Sequence, residues 1–352
     1  MLTNDLNIKI RRLTVKMHEL VDGVMKICYT LLASLGVPVN VVAIVILSGG
    51  KCGLSICITR YLIAMATADL LVIVTYVIVW RIISYFFPGA FLFFHASCSV
   101  NLVLSRVAIE GSVWYTVTFT FDRFVAICCQ ILKRKYCTER TATAILSTIS
   151  ILVCLKNIPH YFAVEPGVFI NNVPTFRVEK KSYYTEIGWV IFDWFVTAST
   201  PLIPFALILI LNILTVRYIF VASRVRKQLR GRNKAENHSD PEMESRKKSA
   251  ILPFTISGNL LLLWLTYLIE FVFYNVTGTD HRDYSDTEYI LQQAGYILMN
   301  LSCCTNTFIY VVTQSKFRSQ FLSMVKYPIT SVVQLISKVK KKRICAIGVT
   351  MS

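Results

Sequence analysis

Asp122, Arg123 and Phe124 sit together at the end of a long apolar run, the third of seven. An acid and a base at the edge of hydrocarbon are costly, so the pair reads as a functional site or as an interfacial anchor. An Arg at that rim pairs with its neighbouring Asp, reaches lipid phosphate, or meets a partner protein. Asp69 is the second such residue. It lies mid-run, among Ala68, Leu70 and Leu71, with no base beside it. A lone carboxylate at that depth costs about 2.5–3.5 kcal/mol on insertion scales. Asp69 is therefore expected to be neutral in a polar network, paired, or bound to a cation. Asn40, Ser112, Asn300, Ser302 and Asn306 fall at comparable depth in other runs. Oxygen ligands of this kind suit a small hard cation or a water cluster.

The elements that must hold these residues are legible from composition. Of 352 residues, 55% are hydrophobic and 16% charged, against about 25% charged in soluble domains. Mean hydropathy is +0.56. The apolar residues are blocked into runs of about 20, each long enough to cross the hydrocarbon core as a helix. Seven spans are expected, over 24–48, 58–82, 98–128, 142–163, 187–221, 249–275 and 288–313. From Cys98 to Arg123 a helix rises about 37 Å, enough to leave Arg123 at the far rim. The predicted fold is an all-α membrane protein, a seven-transmembrane helix bundle with a short amphipathic helix on the inner surface. Its expected divisions are an extracellular N-terminus 1–23, a membrane domain 24–313, the surface helix 314–327 and a basic cytoplasmic tail 328–352. The segment 164–186, with Pro166, Gly167, Asn171, Asn172 and Pro174, allows a short hairpin. No cleavable signal peptide is expected from the polar first 22 residues.

The formal net charge is +17, and its placement sets an orientation. Lys133, Arg134, Lys135 and Arg140 share one side with Arg224, Arg226, Lys227 and Arg230 and with the tail residues Lys340, Lys341, Lys342 and Arg343. The positive-inside rule puts that side in the cytoplasm and the N-terminus outside, at the plasma membrane, although Lys9, Arg11, Arg12 and Lys16 vote the other way. Basic residues flanking spans meet anionic lipid and do not indicate nucleic acid. The eleven cysteines form no disulfide framework. Cys98 is placed for a bridge, but 164–186 offers no cysteine to meet it. His18, His95, His160, His238 and His281 are scattered, so no enzyme site is expected.

Several of these marks, taken in order, resemble the rhodopsin-like G-protein-coupled receptors. They are Gly36 to Asn40, Ala68-Asp69, Cys98, Asp122-Arg123-Phe124, Pro204, Trp264, and Asn306 to Tyr310 followed by Lys316-Phe317-Arg318. The resemblance covers about residues 24–327. Within that family the texture is most similar to an orphan subgroup, that of receptor one-thirty-nine, which responds to tryptophan and phenylalanine. The resemblance implies a switch formed by Asp122, Arg123, Phe124, Asn306 and Tyr310. It also implies an allosteric sodium ion at Asp69, Ser112, Ser302 and Asn306, and no other cofactor. The implied partners are a heterotrimeric G protein of the phospholipase-C-linked class, an extracellular small-molecule or peptide ligand, and anionic lipid at the inner face. Departures are Phe124 for Tyr, Thr266 and Thr307 for Pro, Arg246 where many members keep an acid, and Tyr267 for a subgroup Arg.

Family geometry puts the ligand pocket among Ser105, Arg106, Glu110, Asp193, Thr197, Trp264, Tyr267, Phe271, Gln292 and Tyr296. Arg106 is suited to hold a carboxylate, and Glu110 or Asp193 an amine. Equally, Arg106 can pair with Glu110 at i,i+4 or with Asp193. Asn275 begins a glycosylation sequon at a helix end. The competing reading is a transporter or ion-conducting protein using Asp69 and Glu110. It calls for broken helices and a repeat, and no repeat is found in the sequence.

Overall fold

A computed structural model describes residues 2–87, 94–170, 173–175, 178–232, 241–277, 285–324 and 326. Among them run seven long helices. We label them α1 (Leu2–Ser48), α2 (Ile56–Phe86), α3 (His95–Cys128), α4 (Glu139–Asn157), α5 (Ile187–Thr197 through Ile203–Arg232), α6 (Pro241–Thr277) and α7 (Asp286–Thr313). A further helical stretch over 315–324, labelled α8, follows α7. Lipid offers no partner to backbone polar groups, so helices that satisfy their own are the form such apolar runs take. Six of the seven are long and apolar enough to cross a membrane. The exception is α3, whose Arg106, Glu110, Asp122 and Arg123 and many hydroxyls dilute its apolar content. It packs against α2, α4, α5 and α6, and this central position is what lets it carry polar side chains away from lipid.

Local sequence sets the helix starts. Ser55 accepts from Ile58 N, Thr138 from Thr141 N, and Ser285 and Glu288 form a reciprocal capping box at α7. The polar residues ahead of the first span continue its helix, so α1 begins at Leu2. Two helices depart from regular α winding. Ile73–Ile82 of α2 is wound as π-helix, which turns every later residue relative to the α register. In α5, Ala198–Leu202 is also wide-turned, and Thr200 leaves the helical region at φ −155°, ψ 105°. Pro201, which lacks an N–H to give, sits at this break. By contrast α6 runs on through Pro253, and the Ser257 hydroxyl donates to the Pro253 carbonyl at 2.7 Å.

Close approach replaces hydrophobic drive between helices in lipid. A Cβ on Gly36 would lie 2.9 Å from Cys304 Sγ, and one on Gly295 would lie 3.0 Å from the Tyr267 backbone. These positions let α1 and α6 seat against α7. The expected hairpin is present between α4 and α5. Strands β1 (Val164–Glu165) and β4 (Val178–Glu179) pair antiparallel, as do β2 (Val168–Ile170) and β3 (Val173–Thr175). We call this the hairpin end of the bundle, and the end carrying Arg123 the switch end. No disulfide forms among the described residues, and Cys98 is buried at the start of α3. The tail 328–352 lies outside the described residues.

Candidate functional site

At the switch end, Asp122 is fully buried and pairs with Arg123, whose Nε donates to Oδ2 at 2.9 Å and whose Nη2 contacts the same oxygen. Two thiols complete the environment of Asp122. Cys57 Sγ donates to Oδ1 at 3.3 Å, and Cys137 Sγ to the backbone carbonyl at 3.6 Å. Neither thiol was singled out in the sequence, because their partner is 65 and 15 residues away. Cys137 lies between helices, and its thiol is pushed up to about 11, first by burial and then by the Asp122 charge. Phe124 packs on Phe121, with ring centroids 6.4 Å apart.

Arg123 borders a cleft of about 530 Å³ lined also by Leu54, Ile58, Leu252, Pro253 and Gln314. Arg246 does not face Arg123 with an opposite charge; its Nη1 donates to Tyr218 Oη at 2.8 Å. Arg123 is thus held by its own neighbour rather than by α6. Tyr310 is buried and meets Phe317 edge-on at 5.7 Å, which ties α7 to α8.

Mid-bundle, Asp69 is fully buried. Ser112 Oγ donates to Oδ1 at 2.6 Å and Asn306 Nδ2 to Oδ2 at 2.8 Å. Three helices therefore meet on one carboxylate. Ser302 is engaged elsewhere: it accepts from Trp264 Nε1 at 3.0 Å and donates to the Met299 carbonyl at 2.6 Å. Asn40 bridges α1 to α7, donating to the Gly36 and Cys303 carbonyls at 2.9 Å each. The Oδ1 atoms of Asn40 and Asn300 are buried without a donor. The Asp69 carboxylate with the Ser112 hydroxyl beside it supplies oxygen ligands of the kind a small hard cation takes.

Toward the hairpin end the ionic pairing differs from both alternatives drawn from sequence. Arg106 pairs with neither Glu110 nor Asp193; its Nη1 lies 3.4 Å from His160 Nε2. Glu110 is held by Lys156, by Asn157 Nδ2 at 2.6 Å and by Thr200 Oγ1 at 2.8 Å. Lys156 also donates to Ser199 Oγ at 2.7 Å. Asp193 accepts from Tyr183 Oη at 2.6 Å. The reason is direction: Glu110 faces α4 and the break in α5, where Thr200 turns its hydroxyl inward. Lys156 is one residue that sequence reasoning missed. Its signal was available, since a lysine within an apolar span needs a partner. Glu110 is thus engaged by side chains of α4 and α5.

The remaining expected pocket residues come together as an aromatic wall. Tyr267 contacts Trp264 edge-on at 5.7 Å, Phe271 face-on at 5.8 Å and Tyr296 at 5.8 Å. Ser105 on α3 and Gln292 on α7 are buried, and Ser105 Oγ donates to the Asn101 carbonyl. The side chains of Thr197 and Asn275 lie outside the described residues. A second missed residue is Arg81, surrounded by Tyr29, Tyr76 and Tyr296, with each ring centroid 5.3 Å from its guanidinium carbon.

Comparison with known proteins agrees with this layout. Residues 39–310 match the family described as 7 transmembrane receptor (rhodopsin family). The chain is 24% identical over 303 residues to the FMRFamide receptor of Drosophila melanogaster, covering 82% of this chain but only 51% of that one. It is 22% identical over 293 residues to the cysteinyl leukotriene receptor 1 of Homo sapiens, covering 79% and 78%. To the C-C chemokine receptor type 8 of Mus musculus it is 24% identical over 310 residues, covering 85% and 78%. The chain thus spans about half the length of the FMRFamide receptor and about three quarters of the other two. With a family match running from Asn40's neighbour to Tyr310, over a bundle with Asp69, Asp122 and Arg123 buried at its centre and rim, the chain belongs to the rhodopsin family of seven-transmembrane receptors.

Proposed function

We propose that this chain is a receptor whose ligand, an amino-acid-like molecule or a peptide, enters at the hairpin end from outside the cell. Its N-terminus is extracellular and its tail cytoplasmic. The ligand favours a state in which α5 and α6 part at the switch end. Arg123 then leaves Asp122 and meets a G protein of the phospholipase-C-linked class. The observation that carries this reading is the buried Asp122–Arg123 pair opening onto a cleft of about 530 Å³ lined by α6. No ligand can shift the two states by more than its differential affinity for them. With Arg246 turned to Tyr218 and Glu244 of the cleft paired with Lys248, Arg123 is paired within α3, and basal signalling is expected.

Sodium, held by Asp69, Ser112 and Asn306, would supply a counter-charge that keeps Asp69 ionised in the resting state. Ser302 Oγ donates to Met299 and accepts from Trp264, which leaves one lone pair with which it would join. The likeness to the one-thirty-nine subgroup nominates tryptophan and phenylalanine as first agonists, although Tyr267 stands where that subgroup has an Arg.

The test is calcium and cyclic-AMP readout in cells expressing the full chain, challenged with aromatic amino acids and small peptides. Arg123→Ala is expected to abolish both basal and evoked calcium signals at unchanged surface expression. Signals that survive it would overturn the assignment of the switch.

A further inference from the structure

Arg81 lies near the hairpin end of α2, half-buried, at the end of the π-wound stretch Ile73–Ile82. Its charge is surrounded by aromatic faces. The rings of Tyr29 on α1, Tyr76 on α2 and Tyr296 on α7 each lie 5.3 Å from the guanidinium carbon. The guanidinium cannot shed its proton. Ring faces attract a cation but do not neutralise it.

Its hydrogen bonding is incomplete as well. Nη2 donates to Tyr76 Oη at 2.8 Å, whereas Nε is buried with no acceptor. Tyr29 Oη is also buried with no partner. Among the described residues no carboxylate pairs with Arg81. Asp22 is instead the acceptor for Tyr289 Oη, at 3.0 Å. Lys26 adds a second positive charge beside the cluster, over the Tyr85 ring at 5.4 Å.

Two orphaned donors and a cation with no carboxylate partner among the described residues therefore lie in one cluster where α1, α2 and α7 meet. Buried polar groups in native proteins are seldom left unmade. What satisfies both donors is an acceptor, and what balances the cation is a negative acceptor. A carboxylate is both, and it matches the planar fork of a guanidinium. Tyr296 carries the site into the wall of Tyr267 and Phe271, so an aromatic or apolar body attached to the carboxylate has a surface to cover. We propose that Arg81 and Tyr29 form the anion subsite of this receptor's ligand pocket, and that the ligand is an aromatic carboxylate or a peptide with a free C-terminal carboxylate. This rests on the receptor reading for its biological meaning, but its test needs no G protein.

The probes are indole-3-acetate and N-acetyl-tryptophyl-phenylalanine, each paired with its neutral carboxamide. Thermal stabilisation of the purified full chain in lipid nanodiscs is followed against probe concentration. The carboxylates are expected to stabilise the wild type and the amides not. Arg81→Gln is expected to weaken carboxylate affinity about ten- to a hundredfold. If that variant does not fold, Tyr29→Phe keeps the ring and removes only the orphan hydroxyl, and a loss of about fivefold is expected. Equal stabilisation by acid and amide would overturn the proposal and leave the cluster a structural, water-satisfied one. Absence of any carboxylate effect on the wild type would overturn it too. Carboxylate binding that is lost in the variants, in a protein that never evokes a calcium or cyclic-AMP signal, would uphold the subsite and sink the coupling instead.

Discussion

Replacing Lys156 by Met is expected to destabilise the bundle more than any single change on its surface. Both ions are nearly dry, with side-chain exposures of 11% for Lys156 and 5% for Glu110. Removing the lysine leaves Glu110 with two neutral donors, Asn157 Nδ2 and Thr200 Oγ1. An uncompensated buried charge of this kind costs about 3–5 kcal/mol. At about 2 °C per kcal/mol, the low end for large chains, Tm falls by roughly 6–10 °C. Glu110→Gln does comparable harm, because Lys156 then keeps only the Ser199 and Thr200 hydroxyls and a glutamine oxygen. The double variant Glu110→Gln with Lys156→Met removes both charges and is expected to recover most of the loss. The assay is thermal melting of the purified full chain in nanodiscs, run as a double-mutant cycle. The pair is refuted as the binding element between α3 and α4 if the two losses add to within about 0.5 kcal/mol. The same cycle separates a structural Glu110 from a ligand-binding one, since a ligand amine would make Glu110→Gln harmful only with ligand present.

Other outcomes follow from the same geometry. Gly295→Ala drives a Cβ to 3.0 Å and 3.2 Å from Tyr267 backbone atoms, and overpacking against backbone costs about 1–3 kcal/mol. Gly258→Ala on α6 meets nothing within 4 Å and is expected to be neutral or to stabilise, so melting that ranks the two the other way would contradict the packing. Asp69→Asn is expected to abolish any sodium sensitivity of ligand binding and to weaken or bias signalling; sodium-insensitive binding in the native protein would remove the sodium assignment. The Cys137 thiol, with its pKa pushed up to about 11, is about 0.1% ionised at pH 8, against about a quarter for an ordinary thiol. Its alkylation is therefore expected to be slow at pH 8 and to rise about tenfold per pH unit until about 11, and fast labelling at neutral pH would mean that the thiol is not packed against Asp122.

Much of this receptor is legible from local sequence. The apolar runs declare the helices because lipid leaves the backbone no other partners, and the caps at Ser55, Thr138 and Ser285 are short-range contacts. The ionisable residues Asp69, Asp122 and Arg123 stand out because their cost in hydrocarbon depends on depth, which the spacing sets. Which partner each ion takes was not legible. Glu110 lies 46 residues from Lys156, and Asn306 lies 237 from Asp69, so only packing brings them within reach. One alternative open to Arg106, pairing with Glu110, obeyed helical spacing and failed because the break at Thr200 and the lysine on α4 offered Glu110 better-placed donors. Arg81 was missed for a related reason. Ten residues of π-helix in α2 turn it toward Tyr29 and Tyr296, and winding of that kind depends on neighbouring helices rather than on the local run. Sequence alone determined the spans and the places where charge is expensive; tertiary structure decided how each charge is met, because that rests on contacts between helices far apart in the chain.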